Sequence, residues 1–486
     1  MGRFTGCLLV GTSPLALRHS VRTHSALEKC AGHFGSKPAE PAKAASFGRD
    51  PAWPARVIYS APPMDLLDDL AFRGLIHQQT NPEGLRAHLH SPRTVYCGFD
   101  PTKDSLTIGN LVPILLLRRF QQAGHRPIVI MGGGTGMIGD PSGKEAERQM
   151  LSLEQIEQNV AGQRVTFERL LEFGGPNGAL LLNNADWLKG LGYLEVLRDI
   201  GKYFSINMMV QKDSVKERLQ NREQGISYTE FSYMLLQAYD YLYLYDRHSV
   251  TLQVCGSDQW GNVVGGIDLI RRKHQTEAFG LTAPLITKAD GSKFGKTESG
   301  AIWLHESRTS PYAFYQFWLN TPDNDVLRFL KIFSFLSHDA IVGLSAEHEA
   351  NPGARVAHRA LAEHMTELLH GPSGLEHARS VSQALFSGDI SGLSRATLEE
   401  VFQHTPSVTL PKARLEGEGI PAVDFLVEAA VVKSKREARE LLSSHAVSIS
   451  ARKADADTRI TGEWLLFGDI ALIRRGKKTW HVARFE

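Results

Sequence analysis

The chain reads as an α/β protein built on a parallel sheet, continued by a helical block and closed by a small α+β unit. Three patterns predict this. Short apolar runs at Val95–Phe99 and Pro127–Met131 bracket a stretch of helical periodicity, Leu111–Ala123. That is the strand–turn–helix–strand order of a parallel sheet with right-handed crossovers. From about Ser310 to Thr405 the pattern is helical, punctuated by Pro311, Pro322 and Pro352, with no strand signal. The last block, Ile420–Glu486, mixes a helical segment with several strand-like runs.

Composition sets the outer limits. With 486 residues, 42% hydrophobic and 22% charged, the chain can bury sizeable cores in two to four domains. A net charge of +1 excludes a global polycation, so any nucleic-acid contact must come from a local basic face. Four cysteines, Cys7, Cys30, Cys97 and Cys255, show no CxxC spacing. That favours a reducing compartment and gives no support for a zinc site. No apolar run approaches the roughly 20 residues that span a bilayer. The first fifty residues carry seven Arg/Lys against three Asp/Glu. Residues 1–63 read as a disordered leader, with an organelle transit peptide as the alternative. Met64 opens the first amphipathic segment, MDLLDDLAFRGLI.

The elements follow in order. Val95–Phe99 runs into a turn at Pro101–Asn110, the helix Leu111–Ala123 stops at Gly124, and Pro127–Met131 closes at Gly132–Gly134. Helices are expected at Leu153–Phe173 and Tyr228–Tyr245. A strand at Val250–Val254 leads to GSDQWGN, and Leu285–Thr287 leads to the KFGKT loop at Lys293–Thr297. Polar groups therefore gather at the carboxyl ends of strands, where open α/β sheets bind ligands. Gly134, Gly136 and Gly139 match GxGxxG formally, but Asp140-Pro141 follows at once. The residue before a proline is driven out of helical geometry, so the helix that a dinucleotide fingerprint needs is denied. Residues 406–419 read as a linker. Beyond it Ser434–Ser444 is a helix N-capped by Ser434, Val447–Ser450, Ile470–Ile473 and Thr479–Val482 are strand-like, and Arg474–Lys478 (RRGKK) is a hairpin tip.

Three constellations carry chemistry, and each has a bland reading beside it. Lys293 and Lys296 flank a glycine on a loop suited to gripping a polyphosphate, although such a pair is more often solvated charge. Tyr233, Gln237 and Asp240, at i, i+4 and i+7, fall within roughly 60° on one helix face. Taken alone, that stripe fits an amphipathic core helix with its polar side in water. RRGKK taken alone is an exposed turn.

The segments Tyr96–Asn110 (YCGFDPTKDSLTIGN) and Lys293–Thr297 (KFGKT) together resemble the two signatures of class I aminoacyl-tRNA synthetases, the tyrosyl family in particular. The resemblance runs from about Met64 to the C-terminus. It implies a Rossmann-like catalytic domain at 64–308 and a helical tRNA-contacting domain at 309–405. After the 406–419 linker it implies a ribosomal-protein-like RNA-binding domain at 420–486. It also implies a reaction in which tyrosine and ATP give tyrosyl-adenylate and then tyrosyl-tRNA. The attacking carboxylate is already ionised, so catalysis needs positioning and charge stabilisation rather than a base.

Residue roles carry over by motif. Thr102, Thr107, Asn110, Lys293 and Lys296 are the catalytic set. Gly98, Asp100, Gly109, Asp258 and Thr297 join the two lysines in holding ATP. The expected HIGH-type tetrad is Thr107-Ile108-Gly109-Asn110 here, so an amide and a hydroxyl stand where the family has imidazoles. Tyr96 and Asp240 are matched to a phenol, and Asp140, Tyr233 and Gln237 to an ammonium. Gln259 completes the amino-acid surroundings, while Lys144 and Arg148 are candidates for a lobe near pyrophosphate. Cys255 stands where the family commonly has glycine. Lys435, Arg436, Arg439, Arg474, Arg475, Lys477 and Lys478 are the expected tRNA contacts. ATP enters as substrate with Mg2+, no cofactor is held tightly, no protein metal site is expected, and the family is homodimeric. The expected location is cytoplasmic, or an organelle matrix if the leader is a transit peptide, with no membrane association. Two rivals remain: a tryptophan-specific relative, and an RNA-binding protein that has lost catalysis.

Overall fold

The computed structural model describes residues 65–142, 151–212, 215, 216, 219, 225–292, 294–297, 300–403, 405–476 and 479–486. The leader, Lys144, Arg148, Lys293, Lys477 and Lys478 lie outside the described residues, and for Lys296 and Thr297 only the backbone is described.

The central sheet has six strands: β1 (Gln78–Gln79), β2 (Thr94–Phe99), β3 (Arg126–Met131), β4 (Leu180–Asn183), β5 (Val250–Gly256) and β6 (Phe279–Ala283). They lie in the order β1-β6-β5-β2-β3-β4, all neighbours parallel except the β1 edge. The chain steps outward from β2 to β4, then returns to the other side of β2 with β5. That reversal creates a crevice at the carboxyl ends of β2 and β5. Helices Leu111–Gln122, Leu153–Leu170, Tyr228–His248 and Trp260–His274 cover the sheet, the first three near their expected spans and the fourth missed by the sequence reading. The glycine run after β3 forms only a single 3-10 turn, Thr135–Met137, in keeping with the Asp140-Pro141 argument. Strands β4 and β6 escaped the sequence reading. Gly280 breaks the apolar run of β6, because a Cβ there would collide with Val263.

A short antiparallel pair, β7 (Lys296–Thr297) and β8 (Gly300–Ala301), carries the KFGKT turn. Helices Pro311–Leu319, Asp323–Phe333, His338–Ala350, Val356–Ser387 and Arg395–Val401 follow, the fourth kinked at Gly371-Pro372. Four of these do not make a separate core. Phe314, Trp318, Phe329 and Phe333 belong to the same continuous apolar cluster as Val95, Leu117 and Val129 of the sheet layer.

The C-terminal unit contains β9 (Ser407–Leu410), β10 (Ile420–Pro421), β11 (Val447–Ile449), β12 (Arg452–Lys453), β13 (Arg459–Ile460), β14 (Ile470–Arg475) and β15 (Thr479–Phe485). Its main sheet runs β12-β11-β14-β15-β9. The expected linker needs correction at its start, since β9 pairs in parallel with β15 through Val482↔Ser407 to Phe485↔Leu410. The four-residue strand is too short, and too polar on its outer face, to announce itself by periodicity. A second apolar cluster joins Ile390, Leu398 and Phe402 to Ile470, Leu472 and Val482. Residues 390–402 thus pack on the C-terminal sheet.

Candidate active site

A cavity of about 540 Å³ occupies the crevice between β2 and β5. Every predicted residue of the first signature, the Asp140 stretch, the helix stripe and GSDQWGN lines it: Tyr96, Gly98, Asp100, Thr102, Thr107, Gly109 and Asn110, then Asp140, then Tyr233, Gln237 and Asp240, then Asp258 and Gln259. Among the described residues, four carboxylates line this space against one lysine, Lys103. Such a lining favours a cationic group on the ligand.

At the floor, Tyr96 on β2 is 2% exposed and its hydroxyl has no hydrogen-bond partner among the described residues. Burial raises its pKa far above the ordinary phenol value, helped by the nearby Tyr241 and Asp240. An unpaired buried hydroxyl costs about 1–3 kcal/mol, so a polar ligand atom is its natural complement. Asp240, from the Tyr228–His248 helix, accepts hydrogen bonds from Trp187 Nε1 at 2.7 Å and Asn184 Nδ2 at 2.9 Å. Desolvation lifts its carboxyl to about 7, and those two donors hold it from rising further. Asn184 also receives the Gly134 N–H at 2.7 Å and donates to Thr135 Oγ1 at 2.9 Å. These supports were missed because they follow β4 without a motif. The available signal was the rule already used elsewhere, namely polar residues (Asn183-Asn184) immediately after an apolar strand.

The waist of the cavity is anionic. Tyr233 donates to Asp100 Oδ2 at 3.2 Å, and Thr135 donates to Asp100 Oδ1 at 2.9 Å. Gly132 is required there, since a Cβ would collide with that Asp100 oxygen. Burial and the carboxylates of Asp100, Asp140 and Asp240 hold the Tyr233 phenol strongly protonated. Gln259 Nε2 donates to Asp140 Oδ2 at 2.6 Å and is braced by Asn262 Nδ2 on its Oε1 at 3.0 Å. Gln237 Oε1 is buried without a partner among the described residues. The stripe therefore faces the cavity and not water, which decides between its two readings.

At the rim the tetrad is internally wired. Thr107 N–H and Oγ1 both donate to Asn110 Oδ1, each at 3.0 Å. The Thr107 hydroxyl proton is thereby engaged, which revises its expected part as a donor. Asn110 keeps its NH2 group for the cavity it lines. The KFGKT turn lies against this tetrad, with Ile108 N–H donating to Ile302 O at 2.9 Å and Ile302 N–H to Gly295 O at 3.1 Å. Gly295 has φ +82°, and a Cβ on it would collide with Ile108. Phe294, unnoticed in the sequence, is the anchor of the turn. It stacks on Phe333 at 5.2 Å and meets Phe329 edge-on at 4.9 Å between ring centroids.

The C-terminal basic residues are less free than their number implies. Lys435 pairs with Asp424 at 2.8 Å, Arg436 with Glu440 at 3.0 Å and Arg475 with Glu437 at 3.1 Å. Arg474 donates to Phe386 O at 3.0 Å and lies over the Trp480 ring at 5.4 Å. Lys433 and Arg439, both exposed, make no ion pair among the described residues. No group of three His, Cys, Asp or Glu side chains there is arranged for a metal, and no described helix is long and apolar enough to cross a membrane.

Comparison with known proteins fits this geometry. Residues 88–387 match the family model for tRNA synthetases class I (W and Y), and residues 397–483 match the tyrosine–tRNA ligase SYY-like C-terminal domain. A tyrosine–tRNA ligase of Geobacillus kaustophilus is 51% identical over 426 residues, 87% of this chain and 100% of that protein. One of Dechloromonas aromatica is 50% identical over 431 residues, 88% of this chain and 100% of that protein. Among solved structures, a C-terminally truncated mitochondrial tyrosyl-tRNA synthetase of Aspergillus nidulans aligns with a TM-score of 0.60 and 30% identity, covering 67% of this chain and 95% of that one. Likeness at this level, across whole relatives and both matched regions, makes the chain a member of the tyrosine–tRNA ligase family of class I aminoacyl-tRNA synthetases.

Proposed function

We propose that this chain activates L-tyrosine with ATP to tyrosyl-adenylate and transfers the tyrosine to the 3' end of its tRNA. The observation that carries the reading is the floor of the cavity, where an unpaired Tyr96 hydroxyl stands beside the buried Asp240 carboxylate. A phenol OH needs one donor and one acceptor, and this pair supplies both. Indole N–H needs only an acceptor and would strand Tyr96. Asp140, Tyr233 and Gln237 are assigned to the substrate ammonium, with Gln259 completing that wall. Gly98, Asp100, Gly109 and Asp258 are assigned to the nucleotide. Thr102, Asn110, Lys293, Lys296 and Thr297 are assigned to the polyphosphate, with Thr107 holding Asn110 in place.

Chemistry follows from placement. The tyrosine carboxylate attacks the α-phosphorus, the bond to the bridging oxygen breaks, and pyrophosphate leaves with the electron pair. Charge gathers on the leaving group, so the loop lysines stabilise the transition state more than the ground state. Magnesium is assigned to the incoming nucleotide. Residues 64–308 are assigned to this chemistry, 309–405 to tRNA contact, and 420–486, with Arg439 and the Arg474–Lys478 tip foremost, to RNA phosphates and shape. A homodimer is supported by exposed apolar side chains concentrated at Tyr193, Leu194, Leu197, Ile206, Met208 and Tyr228. We place the protein in the cytoplasm, with an organelle matrix as the alternative if residues 1–63 direct it there.

Tyrosine-dependent exchange of label between pyrophosphate and ATP tests the reading. Exchange with tyrosine and little with tryptophan or phenylalanine is expected. Exchange driven by tryptophan, or none despite tight RNA binding, would replace it with one of the two rivals.

A further inference from the structure

The lysine turn is held at two described points by one helix, Asp323–Phe333. Before the turn, residues 288–292 close on themselves, with Lys288 N–H donating to Ser292 O and Gly291 N–H to Lys288 O, both at 2.9 Å. The Ala289 N–H of this closed base points at the Asp325 carboxylate, 3.0 Å from one oxygen and 3.1 Å from the other. Asp325 is 1% exposed. Its charge is balanced by Arg328 at 2.7 Å, whose guanidinium also donates to Thr287 O, and by its place in the first turn of the helix. Inside the turn, between its two lysines, Phe294 is seated between Phe329 and Phe333 of the same helix. Only residues 290–293 lie between the two anchors.

A buried carboxylate that loses one of its donors bears a large desolvation cost. Ala289 therefore cannot drift from Asp325 without that cost, and the turn is confined near the tetrad. We propose that Asp325, together with Arg328, is a positioning residue for the phosphate-gripping loop, acting on catalysis through the lysines and not on substrate directly. The proposal rests on the tyrosine-activating reading above. Neither residue is among the described residues that line the substrate cavity.

The test is a double-mutant cycle in the full-length protein, read by pre-steady-state adenylate formation. Asp325→Asn is expected to lower the rate constant about tenfold, with tyrosine KM changed less than twofold. In a Lys296→Ala background the same substitution should cost less than twofold, because contacts that act through one another are not additive. Arg328→Gln, at a half-exposed position that tolerates change, should reproduce the pattern more weakly, and Arg328→Lys should restore part of the rate. Equal fold losses in both backgrounds, an unchanged rate, or a parallel rise in tyrosine KM would overturn the proposal. Should Asp325→Asn not fold, the Arg328→Gln cycle is read by the same criteria. Wild-type exchange is the separate control: its absence would sink the tyrosine reading, whereas its presence with additive mutants sinks only the latch.

Discussion

The tyrosine pocket and the C-terminal hairpin are both rich in charge, yet the two regions spend it differently. In the pocket, Asp240 is buried, raised to about 7 and held by two neutral donors, while Tyr96 and Gln237 keep unpaired polar atoms. Around the hairpin, Arg475, Lys435 and Arg436 are matched by carboxylates of their own unit, and Arg474 reaches across to the Phe386 carbonyl. Unsatisfied polar groups mark a place waiting for a ligand, whereas a count of basic residues does not.

The sharpest way to break the contrast is at Asp240. Asp240→Asn keeps the shape but removes the charged acceptor and turns an NH2 group toward either the Asn184 or the Trp187 donor. Tyrosine-dependent exchange should fall in kcat/KM roughly a hundredfold, the scale of about 3 kcal/mol for a charged buried hydrogen bond. A loss under threefold would mean that the phenol is read elsewhere.

A second test uses acidity. The Asp240 carboxyl, raised to about 7 by burial, is ionised mainly above that pH. A phenol that donates to it binds the ionised form, so tyrosine affinity should rise with pH and level off above 7. Binding at pH 6 should be about tenfold weaker than at pH 8, by the fraction of ionised carboxylate. The dependence should vanish in Asp240→Asn, as checked by equilibrium titration of tyrosine against pH.

The smallest effects belong to the other end. Arg439→Glu reverses an exposed, unpaired charge and should weaken tRNA charging about three- to tenfold, the cost of one or two phosphate contacts, with exchange untouched. Arg474→Ala should instead lower the thermal midpoint, because it cuts a tie to the helical block. Equal loss of exchange in Arg439→Glu would contradict the separation.

Legibility in the sequence followed the same divide. Helix periodicity gathered Tyr233, Gln237 and Asp240 into one stripe and strand ends pointed to GSDQWGN, but only the resemblance to the tyrosyl family turned that stripe from water toward a ligand. Asn184, Trp187 and Phe294 were not readable. Their roles depend on which elements become neighbours, Trp187 with the helix of Asp240 and Phe294 with a helix more than thirty residues away. The pairing of Arg475 with Glu437, 38 positions apart, is equally invisible to a local charge count.

Asn110 carries one last consequence. Its carbonyl oxygen is committed to Thr107 through two hydrogen bonds, so the amide cannot flip, and an amide has no proton to gain or lose in the physiological range. An imidazole at this position would change its charge as acidity changes; the Asn110 amide presents the same NH2 face in mildly acidic and mildly alkaline surroundings alike.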